Sequence, residues 1–227
     1  MDPGSTEPGS KRQGVAIGIT GASGAVYAVR TVAALLERGV HVELIVSDYG
    51  SGLVTPALLA SARRTFKGHA PIVVDSRYNL LRFHGMTACT PNESEVEQAL
   101  GIRIGDNTRV LERAGRTLLA ATHAGAVLIT RGSRGMALFE RNKPARHIPI
   151  FGSDQIADVT GAGDTVIATL TLALSAGASF DEAAQLANHA GGLVVMKRGT
   201  ATVSASELRY AISRGAIGKP ASTTSAR

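Results

Sequence analysis

A chain of 227 residues that is 44% hydrophobic can bury one substantial core, or one domain with a fragment beside it. Its single cysteine, Cys89, excludes an internal disulfide and suits a reducing compartment, so a cytoplasmic location is expected. The net charge of +6 fits an anionic ligand, yet the positive residues are interleaved with acids, no basic run or aromatic platform argues for nucleic acid, and no apolar run is long enough to argue for a membrane span.

Met1 to Gln13, rich in Pro, Gly, Ser and charge, reads as a disordered tail rather than a secretory signal. Gly14 to Thr20 reads as a buried strand and Gly21 to Ala25 as a small-residue turn. Val26 to Arg38 follows as a helix ended by Gly39, and Val40 to Ser47 as a second strand. This β-α-β unit, residues 14–47, is expected to join the sheet formed by residues 48–215, with 216–227 a flexible tail. Beyond a polar loop at Asp48 to Gly52, helical spacing runs from Thr55 to Phe66 with a Thr-Pro start. Strands are predicted at Pro71 to Asp75, Thr87 to Thr90, Ala126 to Thr130, Met136 to Glu140 and His147 to Phe151. Helices are predicted at Glu93 to Leu100, from an Asp106 cap through Ala121, at Val166 to Ala176, at Asp181 to Met196, and from a Ser204–Glu207 capping box. Strands alternating with helices predict an α/β fold: a mostly parallel, Rossmann-like three-layer sandwich.

Four stretches carry candidate chemistry. In Asp158-Val-Thr-Gly-Ala-Gly-Asp-Thr165, two glycines let the backbone turn sharply beside a ligand, and the following helix presents free N–H groups and its positive dipole end to an anion. Asp164, in the first helical turn, is placed to take a proton from an attacking hydroxyl. Asn92 and Glu95 share a helical face at a strand end, an oxygen-rich pair suited to the waters around Mg²⁺. Thr130-Arg-Gly-Ser-Arg-Gly135 offers a hydroxyl and backbone amides, and Ala187-Asn188-His-Ala-Gly-Gly192 offers small residues against which a flat base can pack. Each stretch also has a plainly structural reading: a capped glycine turn, a helix cap at Asn92, a hairpin turn, and close helix–helix contact.

In this order the four stretches resemble the ribokinase-like (PfkB) family of ATP-dependent carbohydrate kinases, most closely the kinase part of bacterial heptose-phosphate kinase/ADP-heptose synthase proteins. The likeness runs from about Val46 to Arg214. It implies Asp164 as catalytic base and Gly161, Ala162 and Gly163 as the anion hole. It also implies Asn92 and Glu95 as Mg²⁺- and phosphate-linked residues, Thr130, Gly132 and Gly135 as a nucleotide-contacting turn, and Asn188 near the adenine. Asp48 and Asp75 would face the same cleft. ATP and Mg²⁺ are the cofactors so implied, a sugar phosphate the partner, and a homodimer is left open. Ile17-Gly-Ile-Thr-Gly-Ala-Ser-Gly-Ala-Val-Tyr-Ala-Val-Arg30 instead resembles the opening of flavin prenyltransferases and related flavoprotein decarboxylases, whose corresponding turn holds flavin phosphate; there Ser23 would be the hydroxyl donor to FMN.

The sugar-binding and lid segment with which these kinases begin has no counterpart in the sequence, so the chain resembles a chimera joined within Val42 to Ser47. The expectation is phosphoryl transfer from ATP to a sugar hydroxyl, impaired for want of an acceptor-binding half. An FMN-binding module at Gly21 to Ala25 and a non-catalytic fold are the alternatives.

Overall fold

The computed structural model describes residues 14–20, 31, 34–35, 38, 40–50, 52, 54–66, 70–152, 159–199 and 201–217. Seven strands form one sheet, in chain order from edge to edge. They are β1 (Gly14–Thr20), β2 (His41–Asp48), β3 (Ile72–Ser76), β4 (Ala88–Cys89), β5 (Ala126–Thr130), β6 (Met136–Glu140) and β7 (Arg146–Ile148). β1 through β5 are parallel, and β6 and β7 run antiparallel to their neighbours. The helices are α1 (Pro56–Phe66), α2 (Glu93–Leu100), α3 (Thr108–Thr122), α4 (Ala162–Ser175), α5 (Phe180–Val195) and α6 (Ala205–Ile217).

The near-continuous apolar strands follow from burial on both faces. Successive residues alternate sides: Val74, Val127 and Ile129 pack with Leu59 and Phe66 of α1, Val96 of α2 and Leu111 and Leu118 of α3. Val73, Ala126 and Leu128 pack on the other side with Val166, Ile167 and Leu170 of α4 and Ala183, Ala184 and Ala187 of α5. Full burial of side chains such as Leu111 and Leu118 is worth roughly 1.5–3 kcal/mol each. The result is the three-layer, mostly parallel architecture expected from the sequence.

Several boundaries differ from expectation for identifiable reasons. The last strand covers Arg146–Ile148 rather than His147 to Phe151, because Pro149 has no N–H to continue the ladder. Asp106 does not cap α3. Asn107 does, its side chain accepting from the amides of Arg109 and Val110, while Asp106 pairs with Arg134. α4 starts at Ala162, so the glycine stretch is itself its first turn. Ser204 and Glu207 do form the expected capping box. Of the predicted helix at Val26 to Arg38, Thr31, Ala34 and Leu35 are described and helical; the Gly21 to Ala25 turn and Ser23 lie outside the described residues, as does Asp158. Cys89 is fully buried, and burial pushes its thiol up to about 12, which makes it a packing residue.

Candidate active site

Five parallel strands put their carboxyl ends on one edge of the sheet, the edge at which ligands collect in such folds. Ser47 stands beside Asp75 and Asp48 beside Ser76. A parallel bridge then joins Asn92 to Thr130, reinforced where the Thr130 amide donates to the Pro91 carbonyl at 3.0 Å. The strand-end candidates are therefore neighbours in space although far apart in the chain.

The glycine stretch arrives from the other layer. Gly161 adopts the left-handed conformation (φ 77°) at the N-cap of α4, where only a residue without Cβ fits easily. It supplies no capping side chain, and the amides of Gly163 and Asp164 donate to nothing among the described residues. Gly163 differs in kind: its φ is not positive, and a Cβ built there would have nothing within 4 Å among the described residues. A glycine in a helical turn costs about 1 kcal/mol relative to alanine, so packing and backbone conformation alike leave this one unexplained. Open space next to free amides fits an incoming anion.

Ala162 and Gly163 share an open cleft of about 140 Å³ with Thr130, Gly132, Gly135 and Asn188. Six of the sequence candidates thus line one cavity. Its apolar floor, Met136, Ile150, Val166 and Val195, was not singled out in the sequence, because isolated core-type residues carry no local signal. Gly161 and Asp164 line the adjoining groove with Thr165, Leu172 and Leu208, and Asp164 is exposed rather than packed away. Asn188 is only 5% exposed and spends its amide N–H on the Pro149 carbonyl at 2.8 Å. Gly191 lies against Val166, and a Cβ on Gly192 would stand 2.3 Å from the Phe151 carbonyl, so close packing explains these two small residues.

Asn92 and Glu95 form a reciprocal capping box, each accepting from the other's amide at 2.9 Å. Among the described residues no cluster of three His, Cys, Asp or Glu side chains could ligate a metal directly. What the edge does hold is crowded negative charge. The Asp75 carboxyl is pushed from 3.8 to about 7, chiefly by burial, then by Glu95 and Asp164. Glu95 is raised as well, again mainly by burial. That charge fits a hydrated divalent cation held through its waters. Asp48, expected to face the cleft, is instead 2% exposed and structural. One oxygen accepts from the Gly50 amide, and the other accepts from Ser76 Oγ and Asn79 Nδ2.

The raised Asp75 has a direct consequence for stability. An unfolded aspartate releases its proton near 3.8 while the folded one keeps it to about 7, so stability falls as pH rises through that window and stays lower above it. Asp75→Asn, which mimics the protonated acid, is expected to exceed the parent in stability at pH 8 by up to about 4 kcal/mol. The gap should shrink to about 1 kcal/mol by pH 4.5 and close only below the unfolded value of 3.8. Urea unfolding at the two pH values measures both quantities.

The profile of the pfkB family carbohydrate kinases matches residues 50–207. The chain belongs to this family. Bifunctional protein HldE of Geobacter metallireducens is 45% identical over 188 residues, 82% of this chain and 38% of the relative; that of Caulobacter vibrioides is 45% identical over 180 residues, 78% and 37%. The chain thus spans under two-fifths of the length of these curated relatives. Among solved structures, Escherichia coli phosphofructokinase-2 in complex with substrates and products superposes with a TM-score of 0.69 at 18% identity, covering 89% of this chain and 64% of that one. Arabidopsis thaliana ribokinase complexed with ribose and ATP gives 0.64 at 20% identity, covering 84% and 59%. These likenesses establish a ribokinase-like fold. None of them supports FMN, and the pfkB match begins only at residue 50. Among the described residues no helix is long and apolar enough to cross a membrane.

Proposed function

We propose that this pfkB chain carries the nucleotide-binding and phosphoryl-transferring part of a sugar kinase that uses ATP with Mg²⁺. The observation that carries the reading is Gly163: an unfilled position beside free amides at the start of α4, opening into the cleft that also gathers Thr130, Gly132, Gly135 and Asn188. The base packs over the apolar floor between the Thr130 to Gly135 turn and α5. The terminal phosphoryl group meets the amides of Gly163 and Asp164. Asp164 accepts the proton of a sugar hydroxyl as its oxygen bonds to the γ-phosphorus, and the bond from that phosphorus to the β–γ bridging oxygen breaks to release ADP. Asn92, Glu95 and Asp75 are the residues that would hold the waters of a bound Mg²⁺, which would neutralise phosphate charge. A phosphorylated heptose is the acceptor class implied by the resemblance to HldE.

Gly163→Ala separates this reading from a purely structural one. Among the described residues a methyl group there meets nothing, so it should leave thermal stability unchanged or slightly higher. It occupies the phosphate's space, so the rise in thermal midpoint that ATP and Mg²⁺ give the parent should shrink or vanish. A parent whose midpoint does not respond to ATP, with or without Mg²⁺, would sink the nucleotide reading.

A further inference from the structure

Glu93 belongs to neither motif as read above, yet it ties two of them together. It is the first residue of α2, next to Asn92, and its side chain is only 12% exposed. One carboxylate oxygen accepts from Arg131 Nε at 2.8 Å and the other from an Arg134 guanidinium nitrogen at 2.6 Å. Arg131 precedes the short turn Gly132–Arg134 and Arg134 ends it, and Gly132 and Gly135 line the cleft. The same two guanidiniums also donate to the Gly105 carbonyl, at 3.3 and 2.9 Å, and Arg134 donates to Asp106 at 2.7 Å. Glu93 therefore sits at the centre of a half-buried charge network that joins the start of α2 to the turn after β5. Gly132 has a positive φ, and a Cβ built there would meet nothing within 4 Å among the described residues, so side-chain packing at that position does not hold the turn. Carboxylate–guanidinium bonds are directional, and the Arg131–Glu93 pair, 11% and 12% exposed, is sheltered enough to set such a position, with the more solvated Arg134 bond added to it.

We propose that Glu93 is a positioning residue for nucleotide binding: it clamps Arg131 and Arg134 and so fixes the Thr130 to Gly135 turn against the ligand, linking that turn to the Asn92–Glu95 end of α2. The proposal rests on the nucleotide reading of the cleft. Glu93 itself touches no ligand. A neutral glutamine keeps one acceptor oxygen but loses the charge and the second acceptor, and an alanine loses both.

The test uses the full 227-residue chain, its Glu93→Gln and Glu93→Ala variants, and ADP as the probe. Calorimetric titration gives the ADP dissociation constant, and hydrogen exchange on the ligand-free proteins reports on residues 131–135. Glu93→Ala should weaken ADP on the order of tenfold, with Glu93→Gln between it and the parent. Exchange at 131–135 should speed up by a similar factor while α3 and α5 stay protected. A purely structural role would lower the thermal midpoint yet leave ADP affinity unchanged at temperatures where the variants are folded. A folded Glu93→Gln and Glu93→Ala pair that bind ADP within twofold of the parent would overturn the clamp. A parent that binds no ADP would overturn the cleft reading, and the clamp with it.

Discussion

Asp164→Asn is expected to bind ATP at least as tightly as the parent while transferring its terminal phosphoryl group about 10²–10⁴-fold more slowly. The two effects have opposite signs because the carboxylate plays opposite parts in the two steps. During binding it is a negative charge at the helix end where a polyanion must dock, and it shares its surroundings with Asp75 and Glu95. Removing it relieves repulsion and keeps the exposed helix start intact, since among the described residues no hydrogen bond from the Asp164 side chain supports the fold. During transfer it is the acceptor of the hydroxyl proton, and an amide cannot take that part. ADP release monitored against a panel of sugar phosphates gives the rate, and calorimetry with ATP and Mg²⁺ gives the affinity. A variant that transfers as fast as the parent would remove Asp164 from the chemistry. One that loses ATP affinity tenfold or more would show instead that the side chain is a structural part of the phosphate site.

The residues whose chemistry depends on local backbone were legible in the sequence, and those that depend on distant partners were not. Gly161 and Gly163 announce a turn and a helix start because glycine has few other reasons to recur there, and the structure places both at the head of α4. The alternation of strands and helices is equally local, so the layered sheet was foreseen. Asp106 and Asn107 look alike as helix caps. What assigns the cap to Asn107 is Arg134, 28 residues away, which claims the aspartate. Glu93 was invisible for the same reason, since its partners lie 38 and 41 residues downstream. Asp75 could be seen as a strand-end acid, but its pKa of about 7 comes from burial and from carboxylates on two other elements, which no local pattern encodes. Asn92 and Glu95 show the converse: the spacing that suggests an ion site also makes a capping box, and the structure forms that box.

Gly135→Ala should be the most destabilising single-methyl change at the cleft, by about 4 kcal/mol, and should lower the thermal midpoint by roughly 10 °C. Two costs combine. Gly135 sits at φ 76°, ψ −133°, a conformation that a side chain makes strained. The added Cβ would also stand 2.1 Å from the Ile148 carbonyl oxygen, 2.7 Å from the Ile150 amide nitrogen and 2.8 Å from the Pro149 carbonyl carbon. All three are backbone atoms, so no rotamer change relieves the contact. Either the turn after β5 lifts away, or the chain leaving β7 does. The first breaks the Arg131 amide's bond to the Gly135 carbonyl at 2.9 Å, and the second breaks the Asn188 bond to Pro149. Both movements open the same cleft, so ATP affinity should fall along with stability. Gly163→Ala is the matched control, adding the same methyl group to the same cavity where nothing lies within 4 Å. Chemical unfolding of the two variants side by side tests the contrast. A Gly135→Ala protein as stable as the parent would mean that the turn and the β7 exit are not held together as the structure places them, and the account of how the nucleotide side of the cleft is built would fail with it.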